Sequence, residues 1–421
     1  MKMNIVSAIQ NQIRINPRLL NQIARRIVLS KLEMINKGLL QIIDDGQIFQ
    51  FGDPSISPLK ATVTVRDPSF YSSLAFGGSV GVGEAYVQGD WDCNDLTSLV
   101  RIFLLNRDVL DKVDKGASSI SAVFNKLFHW FNKNTRDGSR RNISAHYDIG
   151  NDLFELMLDK TMMYSSAVYP DDNSSLEVAS INKMQRLCQK LELSSEDHLL
   201  EIGTGWGGFA IYAATNYGCK VTTTTISQEQ YNYASDKINQ LGLSDRIELL
   251  LEDYRDLNGQ YDKLVSIEMI EAVGLENLDT YFSKCSSLLK ADGLMCLQSI
   301  TIEDQRFEQA KREVDFIQKY IFPGGSLPSV TAISNSLTSV TDMRVQDIED
   351  IGIHYARTLK HWRERFFKYE SRVRGLGYDD SFIRLWEFYL CYCEGGFMEN
   401  SISTIHAVLS KPGHQKQLRH F

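Results

Sequence analysis

The chain has 421 residues, 45 Lys and Arg against 53 Asp and Glu, a net charge of −8 and 43% hydrophobic content. That is apolar material for two or three packed domains, and the acidic balance argues against general affinity for nucleic acid. No run approaches the roughly 18 consecutive apolar residues of a membrane-crossing helix, and the N-terminal segment lacks the apolar block and small-residue cleavage site of a secretory signal. Seven cysteines, at 93, 188, 219, 285, 296, 391 and 393, form no CxxC pair. With no His pair at ligand spacing either, this disfavours a disulfide framework or a metal centre and points to a reducing cytoplasm.

Residues 1–40 carry Lys2, Arg14, Arg18, Arg25, Arg26, Lys31 and Lys37 against the single acid Glu33. Leu20, Ile23, Ala24, Ile27 and Val28 recur close to helical spacing. Such a basic amphipathic helix can lie on an anionic bilayer or simply dock on its own domain. From Lys37 to Asp92 short strands take over. Gly38–Ile43 runs into Asp45-Gly46, a hairpin turn signal, and Ile48–Phe51 resumes the alternation. Ala61–Val65 is a further strand, followed by a helix from Pro68 and the glycines 77, 78, 81 and 83. Residues 1–110 therefore read as a small α+β domain, 111–141 as a polar connector, and 142–421 as a second, larger domain.

From about residue 195 strands alternate with helices. Strands are predicted at 198–203, 220–226, 246–251, 261–267, 293–302 and 402–409, and helices at 209–216, 228–241 and 275–289. This is the pattern of an α/β doubly wound parallel sheet. Glu201-Ile202-Gly203-Thr204-Gly205-Trp206-Gly207-Gly208 lies at the first strand–helix junction, where glycines let the backbone turn sharply beside a ligand. The string satisfies GxGxxG, but the second strand ends in Thr224-Thr225-Ile226-Ser227 rather than in an acid for a nicotinamide ribose. A purely structural loop is the competing reading. The acid–apolar–GxGxG form resembles the first motif of S-adenosylmethionine-dependent methyltransferases.

The flanking segments narrow the match. Arg141–Phe154, Met163–Ala167, Thr225–Gln230, Glu252–Asp256, Ser266–Gly274, Lys319–Gly324 and His354–Phe366 together resemble cyclopropane-fatty-acyl-phospholipid synthases and their mycolic-acid relatives, over about residues 35–412. The resemblance implies a class I methyltransferase domain with a Rossmann-like seven-stranded sheet, preceded by a small domain that makes lipid and dimer contacts. It also implies methyl(ene) transfer from S-adenosylmethionine to the cis double bond of a phospholipid acyl chain, by a cytoplasmic enzyme peripheral to the membrane.

Residue by residue, the cofactor contacts fall on Tyr164, Ser165, Glu201, Gly203, Thr204, Gly205, Trp206, Gly207, Thr225, Ile226, Ser227, Gln230, Tyr254 and Arg255. Methyl addition to an alkene leaves a carbocation that aromatic faces stabilise. Tyr147, Tyr169, Phe316, Tyr320 and Phe397 are the pocket candidates, each also readable as plain core. The family loses the proton to a bicarbonate held by Cys, Glu, His, Tyr and a backbone amide. Here those positions carry Ser166, Glu271, Gln298, Tyr355 and Ile300, and Ala272 replaces the His that follows the Glu. Gln cannot titrate and Ser is a weaker acid than Cys. Either a neutral cage holds bicarbonate or Glu271 takes the proton, and the product is a cyclopropane or a methyl-branched chain. A small-amine N-methyltransferase and a silent lipid-binding paralogue remain the alternatives.

Overall fold

A computed structural model describes residues 17–107 and 149–415. The expected connector and the candidate Tyr147 lie outside the described residues. The chain divides into two compact units, one joining the N-terminal segment to Tyr378–Glu399, the other holding the remainder up to Gly377 and from Asn400.

In the first unit, β1 (Leu39–Asp44) pairs antiparallel with β2 (Gln47–Phe51) and parallel with β3 (Lys60–Val65), which pairs antiparallel with β4 (Trp91–Cys93). The β1–β2 hairpin turns on Asp45 and Gly46, both at positive φ (49° and 76°), as a two-residue turn matched to strand twist requires. Helix Ser69–Gln88 runs through the glycine cluster and kinks at Gly78. Helix Pro17–Leu32 buries Ala24, Val28 and Leu32. Its Arg25 pairs with Asp44 at 2.6 Å and covers the Phe49 ring. The expected lipid-facing surface is therefore split: Ala24, Val28 and Arg25 serve the domain itself. Leu19, Ile23 and Ile27 stay 52%, 45% and 41% exposed.

Helix Asp380–Met398 also belongs to this first unit, so the expected unbroken catalytic domain from 142 onward is interrupted. Glu387 accepts from the Tyr86 hydroxyl at 2.7 Å, and Arg384 donates to the Trp91 carbonyl at 2.6 Å. Helical periodicity reveals that such a helix has buried faces but not which core they meet.

The second unit is built on a seven-stranded sheet in the order β10-β11-β9-β8-β5-β6-β7. Its strands are β5 (His198–Ile202), β6 (Lys220–Thr225), β7 (Ile247–Leu251), β8 (Tyr261–Ile267), β9 (Leu289–Ile302), β10 (Arg344–Asp350) and β11 (Ile402–Ser410). Five run parallel in one block, and β11 pairs antiparallel with both β9 and β10. Alternate residues feed opposite cores. Leu200, Leu264, Leu297 and Ala407 pack on one face, and Leu199, Val265, Cys296 and Val408 on the other. Such two-sided burial makes these strands read as near-continuous apolar runs. The expected helix 275–289 is shorter: a 3-10 turn at Leu275–Asn277 precedes helix Leu278–Leu288, and Leu289 already opens β9. Connections leave β5 and β8 toward opposite edges, so the crevice beyond these neighbours is the topological switch point where ligands of open α/β sheets bind.

Candidate active site

Two chain segments meet at that crevice. The loop after β5 turns through Gly203, Gly205 and Gly207 at φ 103°, 53° and 87°. A Cβ on Gly203 would stand 3.3 Å from Met269 in the loop after β8, whereas one on Gly205 would meet nothing within 4 Å, so the loop borders open space there. Gly203 and Thr204 donate their amides to the Thr224 carbonyl, which fastens the loop to the end of β6. Beneath it Glu201 is 2% exposed and accepts from Thr223 at 2.6 Å, and Thr223 also bonds Thr204. Burial pushes the Glu201 carboxyl up to about 8.

The other candidate cofactor residues follow the ends of β5, β6 and β7. Trp206 donates to Asn151 at 2.7 Å and packs on Phe154. Thr225 donates to Gln230, whose own amide is capped by Ser227, and Ile226 lies between the two caps just past β6. Asp253 holds Arg255 through both carboxylate oxygens, at 2.8 and 2.6 Å, while Tyr254 packs edge-on to Tyr281. Glycines that bring the backbone close, an open face at Gly205 and a neutral Thr-Ser-Gln edge suit a nucleoside bearing a sulfonium rather than a pyrophosphate.

On the β8 side, the structure brings Ser166, Gln298 and Tyr355 together, but around Glu268. Glu268 Oε1 accepts from the Ser166 amide at 2.9 Å and from Gln298 Nε2 at 2.7 Å, and its Oε2 accepts from the Tyr355 hydroxyl at 2.8 Å. Glu271 sits beside this group. Its Oε1 accepts from the Ile300 amide at 2.5 Å, and its Oε2 is enclosed without a hydrogen-bond partner. Burial, reinforced by the neighbouring Glu268 charge, raises the Glu271 carboxyl to about 8. Burial also raises Glu268, opposed by its three donors and by the charge of Lys183.

Three groups of this network are absent from the sequence-derived set. Glu268 is visible only as a second acid three positions before Glu271. Lys183 is a basic residue on the buried face of helix Leu176–Lys190, beside Ala179, Met184 and Leu187. It is fully buried, donates to Ser165 Oγ at 2.8 Å, and is lowered to about 8 by desolvation. His406 faces Gln298 across the β9–β11 ladder, and its Nε2 lies 2.9 Å from Gln298 Oε1. Burial depresses this imidazole to about 3, so it is neutral. With Gln298 Oε1 as acceptor, His406 Nε2 carries the hydrogen and the Gln298 amide nitrogen is aimed at Glu268.

The described aromatic candidates sit on different elements. Phe316 and Tyr320 are neighbours, with centroids 5.1 Å apart. Tyr169 stacks on His354 under Arg357. Phe397 lies in the first unit, on helix Asp380–Met398. The ring that bonds a carboxyl is Tyr355, which donates to Glu268 and lies edge-on to Trp362 at 5.9 Å; Tyr164 packs on Trp362 at 5.1 Å and on Phe322 at 6.3 Å.

A seven-stranded sheet of this order, with its glycine loop at the switch point, defines the class: an S-adenosylmethionine-dependent methyltransferase of the class I fold. Solved structures agree. The cyclopropane synthase MmaA2 from Mycobacterium tuberculosis superposes with a TM-score of 0.60 at 27% identity, covering 65% of this chain and 98% of that one. The mycolic acid cyclopropane synthase CmaA1, complexed with SAH and CTAB, gives 0.60 at 29% identity, over 65% of this chain and 98% of that one. The family model for mycolic acid cyclopropane synthetase matches residues 134–407, and the chain belongs to that family. It is 36% identical over 354 residues to the tuberculostearic acid methyltransferase UfaA1 of Mycobacterium tuberculosis, covering 80% of each chain. It is also 36% identical over 366 residues to the cyclopropane-fatty-acyl-phospholipid synthase of Escherichia coli, covering 83% of this chain and 88% of that one.

Proposed function

We propose that the protein transfers a methyl(ene) group from S-adenosylmethionine to the cis double bond of unsaturated phospholipid acyl chains, giving cyclopropane or methyl-branched products. The observation that carries this reading is an aromatic wall, Tyr164, Trp362 and Tyr355, tied through the Tyr355 hydroxyl to Glu268, whose charge acts on neighbouring Glu271. An alkene is a poor nucleophile, and its methylation creates a carbocation that must then lose a proton. Ring faces favour the cation by about 0.5–2 kcal/mol each, and an enclosed carboxylate accepts the proton. An amine substrate would attack with a lone pair of its own and would need no proton taken from carbon afterwards. The names of two 36% identical relatives, a tuberculostearic acid methyltransferase and a cyclopropane-fatty-acyl-phospholipid synthase, support the same substrate class.

Access to a bilayer is supported by helix Pro17–Leu32. Leu19, Ile23 and Ile27 form an exposed apolar stripe at four-residue spacing, with Arg18 and Arg26 on the same helix. Among the described residues no helix is long and apolar enough to cross a membrane, so lipid contact of this kind is peripheral. The deciding experiment incubates the protein with methyl-labelled S-adenosylmethionine and vesicles of unsaturated phosphatidylglycerol, then resolves the fatty acids by mass spectrometry. Label in acyl chains supports the reading. Label confined to added small amines overturns it.

A further inference from the structure

The residues that the family resemblance assigns to a bicarbonate are already engaged. The Ser166 amide, the Gln298 amide group and the Tyr355 hydroxyl all donate to one carboxylate, that of Glu268, at 2.7–2.9 Å. A bicarbonate ion presents the same chemistry, a planar anion accepting three hydrogen bonds, and the two cannot share one set of donors. The residues present therefore do not fit a bicarbonate. The backbone shows how the side chain comes to be there. Glu268 follows β8 directly and adopts φ 49°, a left-handed conformation uncommon for a residue with a Cβ, and its amide is fixed to the Gln298 carbonyl at 2.8 Å. Strain of this kind persists where surrounding contacts over-determine it, and it gathers at functional sites.

We propose that the Glu268 carboxylate is a built-in replacement for the external anion and is itself the base of the reaction. The proposal rests on the methyl-transfer reading above. When the methyl–sulfur bond breaks, the alkene electron pair forms the new carbon–carbon bond, leaving a neutral thioether and a carbocation. A C–H bond of the added methyl, or of an adjacent carbon, then breaks. Its electron pair closes the ring or forms a double bond, and its proton goes to Glu268, which becomes a neutral carboxylic acid until water removes the proton. Of the two neighbouring acids, Glu268 has three converging donors and the attraction of Lys183, while Glu271 is held protonated by burial and by the charge of Glu268.

The test uses the full chain with two substitutions. Glu268→Gln fills the position without a base, and Glu268→Gly empties it at a backbone angle that glycine tolerates. In carbon-dioxide-depleted buffer the parent keeps its full rate, and added bicarbonate changes nothing. Glu268→Gln loses about 10²–10⁴-fold in turnover and retains its affinity for S-adenosylhomocysteine. With [¹³C]bicarbonate as probe, NMR shows saturable binding to Glu268→Gly and none to the parent, a readout that needs no lipid substrate. The proposal is overturned if the parent binds the labelled bicarbonate as Glu268→Gly does, if its rate depends on bicarbonate, or if Glu268→Gln turns over at the parental rate. Failure of the methyl-transfer reading shows separately, as a parent that labels no acyl chain under any buffer.

Discussion

Tyr355, on helix Gly352–Lys368, donates its phenolic hydrogen to Glu268 Oε2 across 2.8 Å, joining two residues 87 positions apart in sequence. The contact holds the carboxylate against the aromatic wall and, as a donor to the ionised form, keeps its affinity for protons down.

Tyr355→Phe removes that donor and leaves the ring. Glu268 then binds its proton more tightly, so the acid limb of the pH–rate profile moves to higher pH, and turnover at neutral pH falls about 10–100-fold. Affinity for S-adenosylhomocysteine, read by calorimetry, stays at the parental value. An unmoved acid limb would show that this hydroxyl does not tune the base.

Glu271 gives a stability signature with a defined sign. Its carboxyl is raised in the folded state to about 8 from the ordinary 4.5, so its contribution is complete below the lower value and is lost as pH climbs through the higher one. Glu271→Gln cannot ionise. Between pH 5 and 9, the melting temperature of the parent should decline relative to that of Glu271→Gln. Parallel curves in differential scanning calorimetry would mean that Glu271 is ionised throughout.

Lys183 is a buried cation shared by three acids, lowered by desolvation yet drawn upward by Glu268, Asp159 and Glu201. Lys183→Met keeps the length and removes the charge, leaving buried carboxyls without their counter-ion. The expected loss is about 3–5 kcal/mol of unfolding free energy in urea, together with weaker cofactor binding through the freed Ser165.

The glycine loop offers a matched pair. Gly203→Ala combines φ 103° with a 3.3 Å approach to Met269, so it costs about 1–3 kcal/mol of stability as well as cofactor affinity. Gly205→Ala meets no protein atom within 4 Å, and its backbone strain alone costs about 1 kcal/mol. Any larger loss of S-adenosylhomocysteine affinity in Gly205→Ala therefore reports a clash with the ligand itself. Equal affinity in Gly205→Ala and parent would remove this glycine from the cofactor site.

Vesicle docking should depend on Leu19, Ile23 and Ile27 more than on Arg25, which is committed to Asp44. Replacing the three apolar residues by Ser should cut sedimentation with anionic vesicles at least tenfold, since each buried side chain contributes about 1.5–3 kcal/mol. Arg26→Gln should weaken docking only at low salt. Sedimentation indifferent to the triple substitution would place the lipid contact elsewhere.

The amino-acid sequence alone determined the alternation of strands and helices, the glycine loop at the first junction and the methyltransferase class. These are local properties: a two-residue or 3.6-residue period and a string of glycines need no knowledge of what lies across the fold. Tertiary structure decided which acid the donors meet. Gln298 bonds the Ser166 carbonyl 132 residues away, Tyr355 reaches Glu268 over 87, and His406 aims Gln298 from 108. The same applies to Arg25, a lipid-facing cation by helical phase and an ion-pair partner by proximity to Asp44, and to Phe397, which follows its helix into the first unit. A carboxylate's protonation depends on the donors and charges within a few ångströms and on the water removed around it. Chain separation carries no information about those, so only the folded arrangement distinguishes Glu268 from Glu271.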